Sequence, residues 1–231
     1  MRILDLATSY FASVARLGAG MEVAGVGPRP REMLELYEFE SCPFCRKVRE
    51  ALSILDLDTV VKPCPRGGPR FRPEAAARSG KEQFPYLFDP NTGRGMLESD
   101  DIVRYLYATY GDGPVPWILS MPVLTDASSF AASAARATAG RAYRRAKAPA
   151  QPLELWSFEV SPYCRLVRER LCELELPYVL HNVAKGSSRR PAFVERSGRM
   201  MVPWLVDPNT GAEMFESADI VDYLERTYAL G

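Results

Sequence analysis

The sequence holds one histidine, His181, and an odd number of cysteines, five in 231 residues. A lone imidazole excludes any histidine-built metal cluster. Five thiols, Cys42, Cys45, Cys64, Cys164 and Cys172, are too sparse for a disulfide scaffold and fit a reducing compartment, so a cytoplasmic location is expected. No stretch is long and apolar enough to span a membrane. The N-terminus lacks a basic region followed by an unbroken apolar core, which argues against a secretory signal. Charge of either sign is not in excess: 29 basic residues match 29 acidic ones. No basic run is long enough for a nucleic-acid footprint, and the densest, Arg141 to Lys147, reads as a solvated linker. Neither a membrane nor a nucleic acid is expected as a partner. Hydrophobic residues at 47% and charged residues at 25% are ordinary for a soluble globular chain.

What the sequence does have is an internal repeat. Leu34 to Cys45 reads LELYEFESCPFC, and Leu153 to Cys164, 119 positions later, reads LELWSFEVSPYC. Phe84 to Tyr110 and Val202 to Tyr228 share 17 of 27 residues at an offset of 118, so one residue is lost in between, near Phe71. Ser9 to Gly20 and Ser128 to Gly140 match more faintly and predict a short leading helix for each unit. The Gly/Pro-rich stretch Gly111 to Pro116 marks the unit boundary. The expected division is a leading helix and linker over 1–33, a first unit over 34–112, an apolar linker and second leading helix over 113–152, and a second unit over 153–231. Val115 to Leu124 is too apolar for a free linker and is expected to be buried, holding the units in a fixed pseudo-symmetric pair.

Within a unit, Leu34 and Leu36 alternate as in a strand, with Glu38 interrupting the pattern; Leu153 to Phe158 is similar. Pro43 and Pro162 suit a first helical turn, where a missing N–H costs nothing. Apolar residues then recur at helical spacing: Val48, Ala51, Leu52 and Leu55, or Val167, Leu171 and Leu174. Second strands follow at Thr59 to Lys62 and Tyr178 to Asn182, then short helices near Pro73 to Ser79 and Pro191 to Ser197. Third strands fall at Pro85 to Phe88 and Pro203 to Val206. Asp-Pro-Asn-Thr-Gly makes a hairpin turn in each copy. A brief fourth strand holds Met96-Leu97 or Met214-Phe215, and Ser99 and Ser217 open a final helix. The fold class is therefore α/β: two tandem thioredoxin-like βαβαββα units of roughly 80 residues, each with a mixed four-stranded sheet, the size of a small domain.

Cys42-Pro43-Phe44-Cys45 lies where strand turns into helix. The unpaired amides and dipole of a helix start favour a thiolate at Cys42. Cys45, one turn inside, is placed to attack a mixed disulfide at Cys42, which suits thiol–disulfide exchange. The rival reading, half of a zinc site, lacks a second ligand pair, so no metal is expected. A third reading is two buried structural cysteines.

The Cys-Pro-Phe-Cys turn, the Phe84-Pro85 step before the third strand and Glu98-Ser99 opening the last helix together resemble the N-terminal domain of the glutathione transferase superfamily, its omega-like and glutaredoxin-like members above all. The resemblance spans each unit. It implies a cis proline, with Phe84 and Pro85, or Val202 and Pro203, pairing by backbone with the cysteinyl part of glutathione. It implies that Glu98 and Ser99, or Glu216 and Ser217, hold the γ-glutamyl end, and that Arg72 and Arg190 hold the glycyl carboxylate. Phe44, Tyr163 and Cys164 line the same turns. The plain alternative for Ser99 and Ser217 is a helix cap. A helix N-terminus suits a carboxylate, and a neighbouring carboxylate suits an ammonium.

The second unit has Ser161 where the first has Cys42. Some transferase classes use a serine hydroxyl there to hydrogen-bond the glutathione thiolate; the site is otherwise inactive or regulatory. Cys164 is expected to be inert, Cys64 incidental, Cys172 part of the core, and His181 structural. A transferase follows this domain with an all-helical one, whereas here a second thioredoxin-like unit follows. The leading expectation is a glutathione-dependent thiol–disulfide oxidoreductase acting on a small-molecule or protein disulfide through Cys42 and Cys45. The alternatives are a transferase conjugating electrophiles and a non-catalytic glutathione-binding scaffold. Whether the chain forms a homodimer is left open.

Overall fold

The structure, a computed structural model, describes residues 20–120 and 139–231. The two expected leading helices lie outside the described residues, apart from their closing glycines. In the first unit β1 (Leu34–Glu38) leads into α1 (Pro43–Ile54) and crosses to a parallel β2 (Thr59–Pro63). A short α2 (Phe71–Ser79) follows, then β3 (Tyr86–Asp89), β4 (Arg94–Met96), α3 (Ser99–Tyr110) and a single turn α4 (Trp117–Ser120). The second unit repeats the order as β5 (Leu153–Ser157), α5 (Pro162–Glu173), β6 (Tyr178–Asn182), α6 (Arg190–Ser197), β7 (Trp204–Asp207), β8 (Ala212–Phe215) and α7 (Ser217–Tyr228). The third strands begin one residue later than the sequence suggests. Pro85 and Pro203 have no N–H to give the ladder.

Helices α1 and α3, and their counterparts α5 and α7, cover the face of the sheet that the alternating leucines make apolar. Leu34 and Leu36 of β1 pack with Val48, Ala51 and Leu52 of α1 and with Ile102, Val103 and Leu106 of α3. Leu153, Leu155, Val167, Leu171, Ile220 and Leu224 do the same in the second unit. Smaller clusters lie under α2 and α6, built on Tyr37 and Tyr86 and on Trp156, Phe193 and Trp204. The Asp-Pro-Asn-Thr-Gly hairpin does more than turn. Asp89 accepts hydrogen bonds from the Tyr105 and Tyr110 hydroxyls at 2.6 Å each and from the Asn91 amide at 2.8 Å, pinning the hairpin to α3. Asp207 repeats this with Tyr223, Tyr228 and Asn209. Of the apolar linker, Val115, Ile118 and Leu119 pack on the first unit's own core, while Trp117 is 66% exposed.

The two four-stranded sheets are not separate. They join edge to edge in one eight-stranded sheet of order β4-β3-β1-β2-β6-β5-β7-β8. The seam is β2 against β6, antiparallel, with Thr59 opposite Leu180 and Val61 opposite Tyr178. A strand as β-branched as Thr-Val-Val would be an exposed edge in an isolated unit, and pairing removes it. Val61 is buried in the second unit's core. The chain ahead of each unit also crosses over. Lys185 holds the segment around Glu22 by two backbone bonds, the Val23 amide to the Lys185 carbonyl (2.8 Å) and the Lys185 amide to the Met21 carbonyl (2.9 Å). Arg66 is held in the same way by Arg141 and Tyr143.

Beneath the seam lies a buried lattice of ion pairs around a pseudo-two-fold axis. Arg49 of α1 reaches Glu159 of the second unit at 3.0 Å and Glu40 at 3.3 Å. Arg168 of α5 reaches Glu40 of the first unit and Glu159, both at 3.1 Å. Both arginines are almost fully buried. Gly20 and Gly140, at φ of 86° and 67°, close against it. A Cβ on Gly140 would stand 2.9 Å from Glu40 Cβ, and one on Gly20 would stand 3.2 Å from Glu159 Cβ.

Breaking a buried pair strands a charge. Arg168→Ala is therefore expected to cost about 3–5 kcal/mol, whereas Arg104→Ala, which removes an exposed partner of Asp101, costs under about 1 kcal/mol; urea unfolding of the two variants measures both. Burial works against the ionised Glu159, but Arg168, Arg49 and Arg46 overcome it and hold its carboxyl down at about 2. Its contribution to stability is complete above the unfolded value near 4.5 and is lost as pH falls towards about 2. Glu159→Gln should flatten that acid limb in a stability–pH curve, and an unchanged limb would remove Glu159 as its source.

Candidate functional site

The site begins at the C-terminal end of β1. Cys42 is the N-cap of α1, with extended backbone, and the Cys45 amide donates to its Sγ at 3.2 Å. Pro43 follows at the first helical position. Burial of Cys42 opposes the thiolate. The hydrogen bonds from the Cys45 thiol and amide outweigh that, and with Arg49 behind them they bring the Cys42 thiol below its ordinary value. Cys45 moves the other way: burial first, then the facing Cys42, push its thiol well up. All five cysteines are free thiols. The other three, Cys64, Cys164 and Cys172, are raised by burial, as befits inert thiols.

The sheet register delivers the next group. Tyr86 lies opposite Tyr37, so Phe84-Pro85 stands beside the residues that lead into Cys42. The Phe84–Pro85 bond is cis, as is Val202–Pro203. The Phe84 ring meets Phe39 edge-on at 6.2 Å. Arg72 lies over the Phe84 ring, 4.8 Å from its centre, and its Nε donates to the carbonyls of Pro65 (2.7 Å) and Cys64 (3.2 Å). Arg190 takes the equivalent carbonyl, that of Val183, at 3.1 Å.

Glu98 and Ser99 form the start of α3. Glu98 has φ of 67° and Glu216 has 66°, a left-handed conformation that a non-glycine residue adopts only at some cost. The same conformation opens the last helix in both copies. Gln83 donates to the Glu98 carboxylate at 2.6 Å, which joins this turn to the cis-proline segment. Lys47 of α1 pairs with Asp100, drawing the start of α3 to α1. Cys42, Phe84-Pro85, Arg72 and Glu98-Ser99 are thus gathered around one end of the sheet. Phe44 is 41% exposed at its rim, while Cys42 itself is only 2% exposed.

The second unit builds the same frame from Ser161, Tyr163, Cys164, Arg190, Val202, Pro203, Glu216 and Ser217. Ser161 caps α5 by accepting from the Cys164 amide at 3.3 Å. Trp156 opposite Trp204 sets Val202-Pro203 beside the turn. His181 has a structural place: it stacks on Trp156 at 4.3 Å and its Nδ1 lies 2.8 Å from Asp58 of the first unit. Among the described residues no group of three or more histidine, cysteine or acidic side chains is arranged to hold a metal. No helix among them is long and apolar enough to cross a membrane.

Sequence reasoning overlooked the charged residues behind the site. Glu38 was seen only as a break in alternation, and Glu40, Arg49, Glu159 and Arg168 were not singled out. The repeat carried the signal. Glu40, Arg46, Arg49 and Glu50 recur as Glu159, Arg165, Arg168 and Glu169.

The geometry predicts an order of thiol reactivity. With the folded, reduced chain and iodoacetamide near neutral pH, Cys42 should be alkylated first, and Cys64, Cys164 and Cys172 only on unfolding. Peptide mass mapping over time reads this, and Cys42 reacting no faster than Cys172 would contradict it.

The chain matches the model of the family described as glutathione S-transferase, N-terminal domain, twice, over residues 36–114 and 155–230. No curated protein matches it. Among solved structures, the Bombyx mori glutathione transferase BmGSTD1 is similar at 26% identity and a TM-score of 0.34, over 37% of this chain and 39% of that one. The chain therefore spans well under half the length of that transferase.

Proposed function

Since the chain belongs to the family of the glutathione S-transferase N-terminal domain and carries that domain in two copies, we propose that it is a glutathione-dependent thiol–disulfide oxidoreductase acting through Cys42. The observation that carries this reading is the Cys42–Cys45 pair: one thiol lowered at a helix start, the other raised one turn behind it.

In this reading the Cys42 thiolate attacks the glutathione sulfur of a mixed disulfide. The old S–S bond breaks, and the substrate leaves as a thiolate that takes a proton from water. A second glutathione thiolate then attacks the glutathione sulfur on Cys42, releasing glutathione disulfide and restoring the Cys42 thiolate. With other disulfides Cys45 attacks the Cys42 sulfur instead. Glutathione would lie along the cis-proline segment, its cysteinyl backbone against Phe84. Its γ-glutamyl end would meet Glu98 and Ser99 at the start of α3, and its glycyl carboxylate would meet Arg72. In the second unit Ser161 offers a hydroxyl and no nucleophilic sulfur. That unit would hold glutathione against Val202, Glu216, Ser217 and Arg190 without forming a disulfide.

One observation favours a second reading. Cys42 is almost fully buried, so a substrate must displace side chains to reach it. A protein that binds glutathione twice and turns nothing over would need no such access. Conjugation of an electrophile by Ser161 faces the same burial.

Reduction of a glutathione mixed disulfide separates these readings. Wild type should turn it over with glutathione as reductant, and Cys42→Ser should fall by at least roughly 100-fold, the scale of losing a covalent nucleophile. Calorimetric binding of glutathione with no turnover in either protein would leave the scaffold reading in possession.

A further inference from the structure

The two binding frames are copies, yet their polar groups are not equally engaged. In the first unit Arg72 Nη1 lies 2.5 Å from the Glu82 carboxylate, and its guanidinium rests over the rings of Phe84 and Phe39 at 4.8 and 5.9 Å. The Glu98 carboxylate accepts a hydrogen bond from the Gln83 side-chain amide at 2.6 Å. The cation and the anion at the two ends of this frame are therefore both held by the residue pair that runs into Phe84-Pro85.

The second unit has Met200 and Met201 at these positions. A thioether carries no charge and donates no hydrogen bond. Val202 in place of Phe84 gives Arg190 no ring to lie on. The Arg190 side chain bonds the Val183 carbonyl through Nε at 3.1 Å, and among the described residues it pairs with no carboxylate. The Glu216 side chain, exposed at the start of α7, has no hydrogen-bond or ion-pair partner among them.

The two contacts in the first unit have the chemistry of the ligand. A carboxylate on Arg72 is what the glycyl end of glutathione would place there, and an N–H on Glu98 is what its γ-glutamyl ammonium would place there. Resting on the reading that both frames take glutathione, we infer that Glu82 and Gln83 form an internal competitor at the first frame, which leaves the second unit the tighter glutathione site. A ligand entering the first frame must displace both side chains, while one entering the second displaces neither. An exposed contact of this kind is worth up to about 5-fold in an equilibrium constant, so the two together separate the sites by on the order of 10-fold. As glutathione rises, the unit without a nucleophile is filled first and the frame beside Cys42 last. Glu82 and Gln83 thereby set the concentration at which glutathione reaches Cys42.

Calorimetry of the full chain with S-methylglutathione tests this, since its blocked sulfur cannot exchange with Cys42. Glu216→Gln leaves the first frame to be read, and Glu98→Gln leaves the second. The Glu98→Gln chain should bind on the order of 10-fold more tightly than the Glu216→Gln chain. Adding Glu82→Met and Gln83→Met to Glu216→Gln should recover most of that difference, a gain that a folding defect does not give. Adding Met200→Glu and Met201→Gln to Glu98→Gln should remove it. In the otherwise wild-type chain, Glu82→Met with Gln83→Met should also lower the S-methylglutathione concentration that protects Cys42 from iodoacetamide. A first frame as tight as the second, or one that Glu82→Met and Gln83→Met do not tighten, overturns the inference and leaves glutathione binding standing. Binding at neither frame overturns that reading as well.

Discussion

Everything at this site hangs on a buried exchange of guanidinium and carboxylate across the pseudo-two-fold axis. Arg49 cannot be desolvated without Glu159, nor Arg168 without Glu40, and each partner belongs to the other unit. The charges are already out of water, so separating the units would expose an incomplete set. The β2–β6 seam adds backbone bonds to the same junction, and the exchanged strands at Lys185 and Arg66 lock its flanks. The duplicated chain is therefore one folding body with two unlike sites.

That junction also explains how the first site differs from the second. Helix α1 starts at the Cys42 cap and sends Arg46 and Arg49, one to two turns further on, into the lattice. The Cys42 thiol feels Glu38 and Arg49 of its own unit, and Arg49 is paired in turn with Glu159 of the other. A helix start and a cis-proline segment make a place for a thiolate and for a peptide backbone. The lattice decides how much proton affinity the neighbouring groups retain. The second copy keeps the frame and has Ser161 where the first has Cys42, and Ser157 where it has Glu38. Its positive-φ Glu216 and cis Pro203 repeat the backbone of Glu98 and Pro85.

Much of this was legible in the sequence. The repeat gave the tandem organisation. Leucine alternation, Pro43 and the Asp-Pro-Asn-Thr-Gly turn gave the element order, because each depends on a few adjacent residues. The cis prolines and the Glu-Ser turn followed from resemblance. What stayed hidden depends on separation in the chain. Nothing local to Thr59–Pro63 says that this edge pairs with Tyr178–Asn182 rather than with solvent. The charges of Arg49 and Glu159 carry no local sign of burial, since that burial exists only after the units dock. The burial of Cys42 likewise comes from packing and not from its own motif. Val115 to Leu124 read as inter-unit glue; of its described members, Val115, Ile118 and Leu119 pack on the first unit's own core, and the junction also rests on polar groups that hydropathy discounts.

The central claim is that Cys42 is the thiol this fold prepares for ionisation. An ultraviolet titration of thiolate absorbance in the reduced chain, with and without glutathione, measures it most directly when run beside Cys42→Ser. The account predicts one thiol ionising below the ordinary cysteine range in wild type, absent from the variant, with the remaining thiols ionising late or only on unfolding. A lowest-titrating thiol that persists unchanged in Cys42→Ser, or no ionisation below that range at all, would contradict it.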